Sequence, residues 1–261
     1  MKTRTVAFAA GIILLAPPGF AQKPKSPKEI AALQAIQNAT DPDARLKSID
    51  NLLTNFADTE FKNAVLDMAV ETARQKNDPT LVDVWADRAL QANPKDYIAM
   101  DDLAAITAAQ MKEFDLNLKD EAAKVDKNAH GAIDLVKDAT KPNPNMTDAD
   151  WAGYKADITA AAHEALGLSE AAQKNYTGAI DEYKAGMAAH PNSVLMVRLG
   201  QVYTQNKQYD EAIAQYTQAL ADAGASPAVK QVAQAGKTNA EKRKAAASAA
   251  TPVVPAPAPK P

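Results

Sequence analysis

Apolar positions recur in a pattern that is written twice between Ala161 and Gly224. The first copy sets Leu166-Gly167 ahead of Tyr176, Ala179, Ile180, Tyr183 and Met187. The second sets Leu199-Gly200 ahead of Tyr209, Ala212, Ile213, Tyr216 and Leu220. Counted from the first tyrosine, each set falls at offsets of about 0, 3, 4, 7 and 11, one stripe of a 3.6-residue helix. The copies lie 33 residues apart, Tyr176 to Tyr209. A helix pair repeated at that interval cannot bury its apolar face alone, so it stacks on its neighbours.

Upstream, the same unit is legible in weaker form. Ser26 predicts an N-cap, with Pro27 at the first helical position and Glu29 completing a capping box. That helix carries Ile30, Leu33 and Ile36 to about Ala39. Asp41-Pro42 opens the next, with Leu46, Ile49, Leu53 and Phe56. Phe61 to about Gln75 reads as a first helix, and Asp78-Pro79 starts its partner, with Val82, Trp85, Ala86 and Ala89, ended by Asn93-Pro94. The next pair is longer. Tyr97 to about Lys112 is followed by Phe114-Asp115-Leu116, then a helix through Ala122, Val125, Ala129, Ile133 and Val136, closed by Pro142 and Pro144. Asp148 is expected to cap a helix about two turns longer than a standard first helix, running past Trp151, Tyr154 and Ile158. After the two regular pairs, Gly224 is a candidate C′ residue and Ser226-Pro227 starts a last helix.

The expected organisation is a processing segment at residues 1–21, a short lead-in at 22–26 and repeats over 27–224. A capping helix over 225–245 and an Ala/Pro/Lys tail over 246–261 complete it. In the first segment Lys2 and Arg4 precede an apolar run from Val6 to Ala16, then Pro17-Pro18 and Gly19-Phe20-Ala21 before Gln22. These are the parts of a cleaved secretory signal, and the run is too short for a bilayer span of about 20 residues. A periplasmic or secreted protein is the expectation. The tail ends Pro-Ala-Pro-Ala-Pro-Lys-Pro, a composition suited to disorder or polyproline structure.

Composition narrows the class further. Of the residues, 46% are hydrophobic but only 5% aromatic, alanine is abundant, and alternating strand-type runs are missing. The class is all-α. A net charge of −3 and the lack of a basic stripe argue against nucleic acid. The absence of cysteine excludes disulfides, thiolate metal sites, a cysteine nucleophile and an N-terminal lipid anchor on cysteine.

The repeat resembles the tetratricopeptide repeat, whose pattern is W-x2-L-G-x2-Y, then A-x3-F, then P. The last copy offers Met196, Leu199, Gly200, Tyr203, Tyr209, Ala212, Tyr216 and Ala219. The one before it offers His163, Leu166, Gly167, Tyr176, Ala179, Tyr183, Gly186 and Pro191. His163 and Met196 replace the tryptophan, Glu170 the first tyrosine, and Gly224 the proline. With leader, lengthened middle pair and Pro/Ala/Lys tail, the chain is similar to secreted tetratricopeptide proteins of acidobacteria. The resemblance implies a right-handed superhelical solenoid of about five helix pairs whose first helices line a concave groove. Small residues Ala179, Gly186, Ala212 and Ala219 would let paired helices touch, and Tyr183 and Tyr216 would fill the space between pairs. In that register the groove positions are Glu164, Leu168, Val197, Gln201, Thr204 and Gln205. Glu164 and Leu168 do not match the Lys and Asn with which chaperone-binding members hold a C-terminal carboxylate, so that clamp is not expected.

No constellation of catalytic or metal-ligating type emerges. His130, His163 and His190 lack ligand spacing. Gly236-Lys237-Thr238 has Gln231 where a phosphate loop needs glycine. Asp101-Asp102 and Asp181-Glu182 are neighbours that do not face one another on a helix, and read as solvated faces. Lys242-Arg243-Lys244 reads as a solvated helix end, Trp85 and Trp151 as core. The expectation is a non-enzymatic scaffold without cofactor or metal that binds a protein partner, with a self-associating structural protein as the alternative.

Overall fold

In the computed structural model, which describes residues 23–141 and 145–249, the chain is a stack of antiparallel helix pairs. The leader, Pro142 and Pro144, and the tail beyond Ala249 lie outside the described residues. Helices α1 (Pro27–Asn38) and α2 (Pro42–Asn55) form the first pair, α3 (Lys62–Gln75) and α4 (Pro79–Ala92) the second. Then come α5 (Tyr97–Gln110) with α6 (Leu118–Asp138), α7 (Asp148–Ala172) with α8 (Tyr176–Ala189), and α9 (Ser193–Gln205) with α10 (Tyr209–Ala221). A final helix, α11 (Pro227–Ala249), packs on α9 and α10. This is a tetratricopeptide-like solenoid. Its core runs along the stack instead of gathering at one centre, from Leu33, Ile36 and Ile49 at one end to Tyr216, Ala219 and Ala233 at the other.

The helix starts follow the capping signals. Asp41 accepts from the Ala44 amide at 2.8 Å, Asp78 from Leu81 at 3.1 Å and Asn192 from Leu195 at 3.0 Å. Ser26 accepts from the Glu29 amide at 3.1 Å, as expected. The reciprocal half of that capping box does not form. The Glu29 carboxylate instead accepts from the Lys25 amide and, at 2.6 Å, from the Thr59 hydroxyl. The carboxylate therefore ties the lead-in to the α2–α3 loop. Thr147, not Asp148, caps α7, accepting from the Asp150 amide at 3.0 Å.

One turn recurs where first helices end. Asn77, Lys174 and Lys207 have φ of 54°, 62° and 63°. The next residue's amide in each case reaches back to a carbonyl near the helix end: Asp78 to Ala73, Asn175 to Glu170, Gln208 to Tyr203. These are Schellman closures, and they mark the weakly patterned second pair as the same unit as the fourth and fifth.

Departures from the unit are concentrated in the middle. α6 has 21 residues and α7 has 25, against 13 in α9. The excess in α7 is about three turns, one more than the sequence suggested. The α5–α6 link, Met111 to Asn117, replaces the tight turn. At the other end, Gly224 is not left-handed: no glycine among the described residues has positive φ. Its amide instead donates to Asp222 Oδ1 at 2.8 Å, an Asx turn that links α10 to α11. α11 also runs through Ala249, past the change in composition at Ala246, because that stretch still consists of strong helix formers.

Candidate functional site

The long α7, the tight fifth pair and the final helix together enclose a cleft of about 530 Å³. One wall is small and apolar: Ala108 and Ala109 at the end of α5, Met111 just after it, and Leu168, Ala171 and Ala172 on α7. The opposite wall is polar, made of Gln201, Thr204 and Gln205 on α9 with Asn239 and Arg243 on α11. Tyr183, Tyr216 and Val202 are buried and form its floor.

The tyrosines are placed by the repeat. Tyr183 packs on Gly167 and Tyr216 on Gly200, so each ring fills the space inside its own pair. Tyr216 also meets Gly236 of α11, which extends its role to the next helix. Burial raises the pKa of both phenols above the ordinary value, so both stay neutral hydrogen-bonding groups. At Tyr183 the Arg198 charge opposes that shift; at Tyr216 a hydrogen bond with Thr204 does.

Of the six groove positions read from the sequence, Leu168, Gln201, Thr204 and Gln205 line the cleft. Glu164 and Val197 are not among the lining residues. Glu164 accepts from Arg198 Nε at 3.3 Å, tying α7 to α9, and Val197 is 6% exposed within the core. The α5 wall and the α11 side chains were not anticipated. Arg243 sat in a run that read as a solvated helix end, and only the packing of α11 against α9 brings it to the cleft.

The α5–α6 link forms a lip beside this cleft. Met111 is buried and lines it, whereas Phe114 is 86% and Leu116 106% exposed. The link is held to the α7–α8 turn by an ion pair between Glu113 and Lys174, whose ammonium also stands 5.9 Å from the Phe114 ring centre.

Other polar groups are accounted for by packing. His163 Nδ1 lies 2.8 Å from Glu182, and His190 pairs with Asp157, so both join α8 or its C-terminus to α7. Asp101 and Asp102, expected on a solvated face, are buried, because α5 is covered by α3, α4, α6 and α7. Asp102 meets Arg74 of α3 at 3.1 Å. Beside them Asp67 holds its proton to about pH 9, first through burial and then through the charge of Asp96. Among the described residues, no group of three or more His, Cys, Asp or Glu is placed to hold a metal ion. No described helix is long and apolar enough to cross a membrane.

No protein-family model matches the chain, and no curated protein matches it. Among solved structures it is similar to a thermophilic TPR protein of Thermus thermophilus, at 17% sequence identity and a TM-score of 0.49. That likeness covers 80% of this chain and 94% of the other. The tetratricopeptide-like architecture stands on the paired helices, the recurring left-handed turns and the tyrosine–glycine contacts of this chain itself.

Proposed function

We propose that the protein is a non-enzymatic scaffold that binds an extended peptide or a helix of a partner protein, and that it works outside the cytoplasm. The observation that carries this reading is the cleft, with one apolar wall and one wall of amides, hydroxyl and guanidinium. The cleft has a volume near 530 Å³. Leu168, Gln201, Thr204 and Gln205 are the central contact residues. Glu164 and Val197 belong to the same groove register and act behind it. The export reading rests on Lys2, Arg4, the apolar run to Ala16 and the small residues before Gln22.

A photo-crosslinking residue at Leu168 or Gln205 of the full chain, activated in intact cells, tests the binding reading. One dominant adduct with a different protein is expected. An adduct of twice the monomer mass would make the cleft a self-association surface, and no adduct from either position would overturn the reading. N-terminal sequencing of the mature protein tests export, with Gln22 expected first.

A further inference from the structure

We infer that the cleft selects a partner segment that carries an acidic side chain next to apolar ones, and that Arg243 of α11 is the residue that reads the acid. This rests on the cleft being the partner site. Arg243 is the one charged side chain among the residues lining the cleft, and no carboxylate lines it. Its setting is unusual in a chain with 32 acidic and 29 basic residues. α11 concentrates positive charge, with Lys230, Lys237, Lys242, Arg243 and Lys244 against Glu241 alone. Lys244 is occupied with Asp210 of α10. Arg243 Nε donates a long hydrogen bond, 3.4 Å, to Asn239 Oδ1 on its own helix. The guanidinium nitrogens beyond Nε are thus available for a fork-like contact with a carboxylate.

Burial fixes which carboxylate fits. Arg243 and Asn239 are exposed and stand at the rim, while the floor is phenolic and apolar. Apolar side chains of the ligand therefore enter between Leu168, Met111 and the alanines. An acidic side chain reaches back to the rim, where Asn239 and Gln205 add amide donors. A chain-terminal carboxylate entering the floor would meet Val202 and two tyrosines without a cation. The contact comes from the helix after the last repeat and not from Leu168, the α7 groove position that lines the cleft, which lacks the chemistry to hold an acid.

The test uses the full mature chain and amidated peptides of sequence Ala-Leu-Glu-Leu-Ala and Ala-Leu-Gln-Leu-Ala, each carrying a neutral fluorophore and read by anisotropy at low salt. The Glu peptide is expected to bind about fivefold tighter, and Arg243→Gln to erase that difference. Lys242→Gln, a charge loss one residue away that does not line the cleft, is expected to change neither. Equal affinity of the two peptides, or equal losses in both Arg243→Gln and Lys242→Gln, overturns the inference. So does absence of Glu-peptide binding at roughly 1 mM protein. Tighter binding of the free-acid peptide through Arg243 would assign the residue to chain ends and overturn it as well. A heterologous crosslink at Leu168 combined with equal peptide affinities would leave the cleft as partner site and remove the acid preference alone.

Discussion

The Tyr183 ring lies on Gly167 so closely that a Cβ there would stand 2.3 Å from ring atom Cε1. The corresponding contact one repeat later, Tyr216 on Gly200, would be 2.7 Å. Both rings are almost wholly buried and have no room to yield. Gly167→Ala is therefore expected to destabilise the fold. Overpacking costs about 1–3 kcal/mol, which exceeds the gain of about 1 kcal/mol that alanine brings to a helix. Gly153, on the exposed face of α7, has nothing within 4 Å of its position for a Cβ. Gly153→Ala is expected to stabilise by about 0.5–1 kcal/mol. Urea midpoints of the two variants should move in opposite directions, and movement in the same direction would remove glycine packing as the reason for the repeat's Leu-Gly step.

Lys207 closes α9 with φ of 63°. A left-handed non-glycine residue carries about 1–2 kcal/mol of strain, part of which glycine recovers at the cost of a more flexible unfolded chain. Lys207→Gly is expected to raise stability by about 0.5 kcal/mol. Lys207→Ala, which keeps the strain, should show no such gain in the same denaturation series.

The tyrosines, small residues and prolines disclosed the helix pairs because they carry both the stripe and the breaks. The cleft was only half legible. Leu168, Gln201, Thr204 and Gln205 follow from the repeat register, since α7 and α9 are first helices of regular pairs. Met111 and the α5 alanines belong to a pair whose link departs from the register, so position along the repeat does not locate them. Arg243 lies beyond the last repeat, where only the docking of α11 on α9 decides which side chain reaches the cleft. Asp101 misled for a related reason. Adjacency of two aspartates suggests solvent, but α5 is packed on several sides, and burial of a helix is set by its neighbours in the stack.

Asp67 makes stability depend on pH in a direction unusual for a carboxylate. Burial, the neighbouring Asp96 and the charge of Asp102 raise its folded value to about 9. The unfolded value is near 3.9. The folded state therefore binds the proton more tightly, and this group's contribution is complete below about pH 4 and lost progressively as pH rises toward 9. Asp67→Asn is expected to flatten that part of the profile and to be more stable than the parent at pH 8, by at least about 1 kcal/mol, the worth of less than one pKa unit. The difference between the two urea midpoints, followed from pH 5 to pH 9, reports the Asp67–Asp96 pair, and a constant difference would show that the pair does not titrate across this range.

Phe114 and Leu116 separate folding from binding. Both are exposed, at 86% and 106%, on a link that Glu113 and Lys174 hold beside the cleft. Replacing each with serine removes almost no buried area, so stability should change by no more than about 0.5 kcal/mol. Exposed aromatic and aliphatic side chains at the edge of a cleft are suited to become buried anchors when a partner docks. The double variant Phe114→Ser, Leu116→Ser is therefore expected to cut the Leu168 crosslink yield about tenfold, equivalent to an anchor worth about 1.4 kcal/mol. Its urea midpoint should stay in place. An unchanged yield would confine the partner to the cleft between α5 and α11, and a fallen midpoint would mean that the two side chains support the link itself.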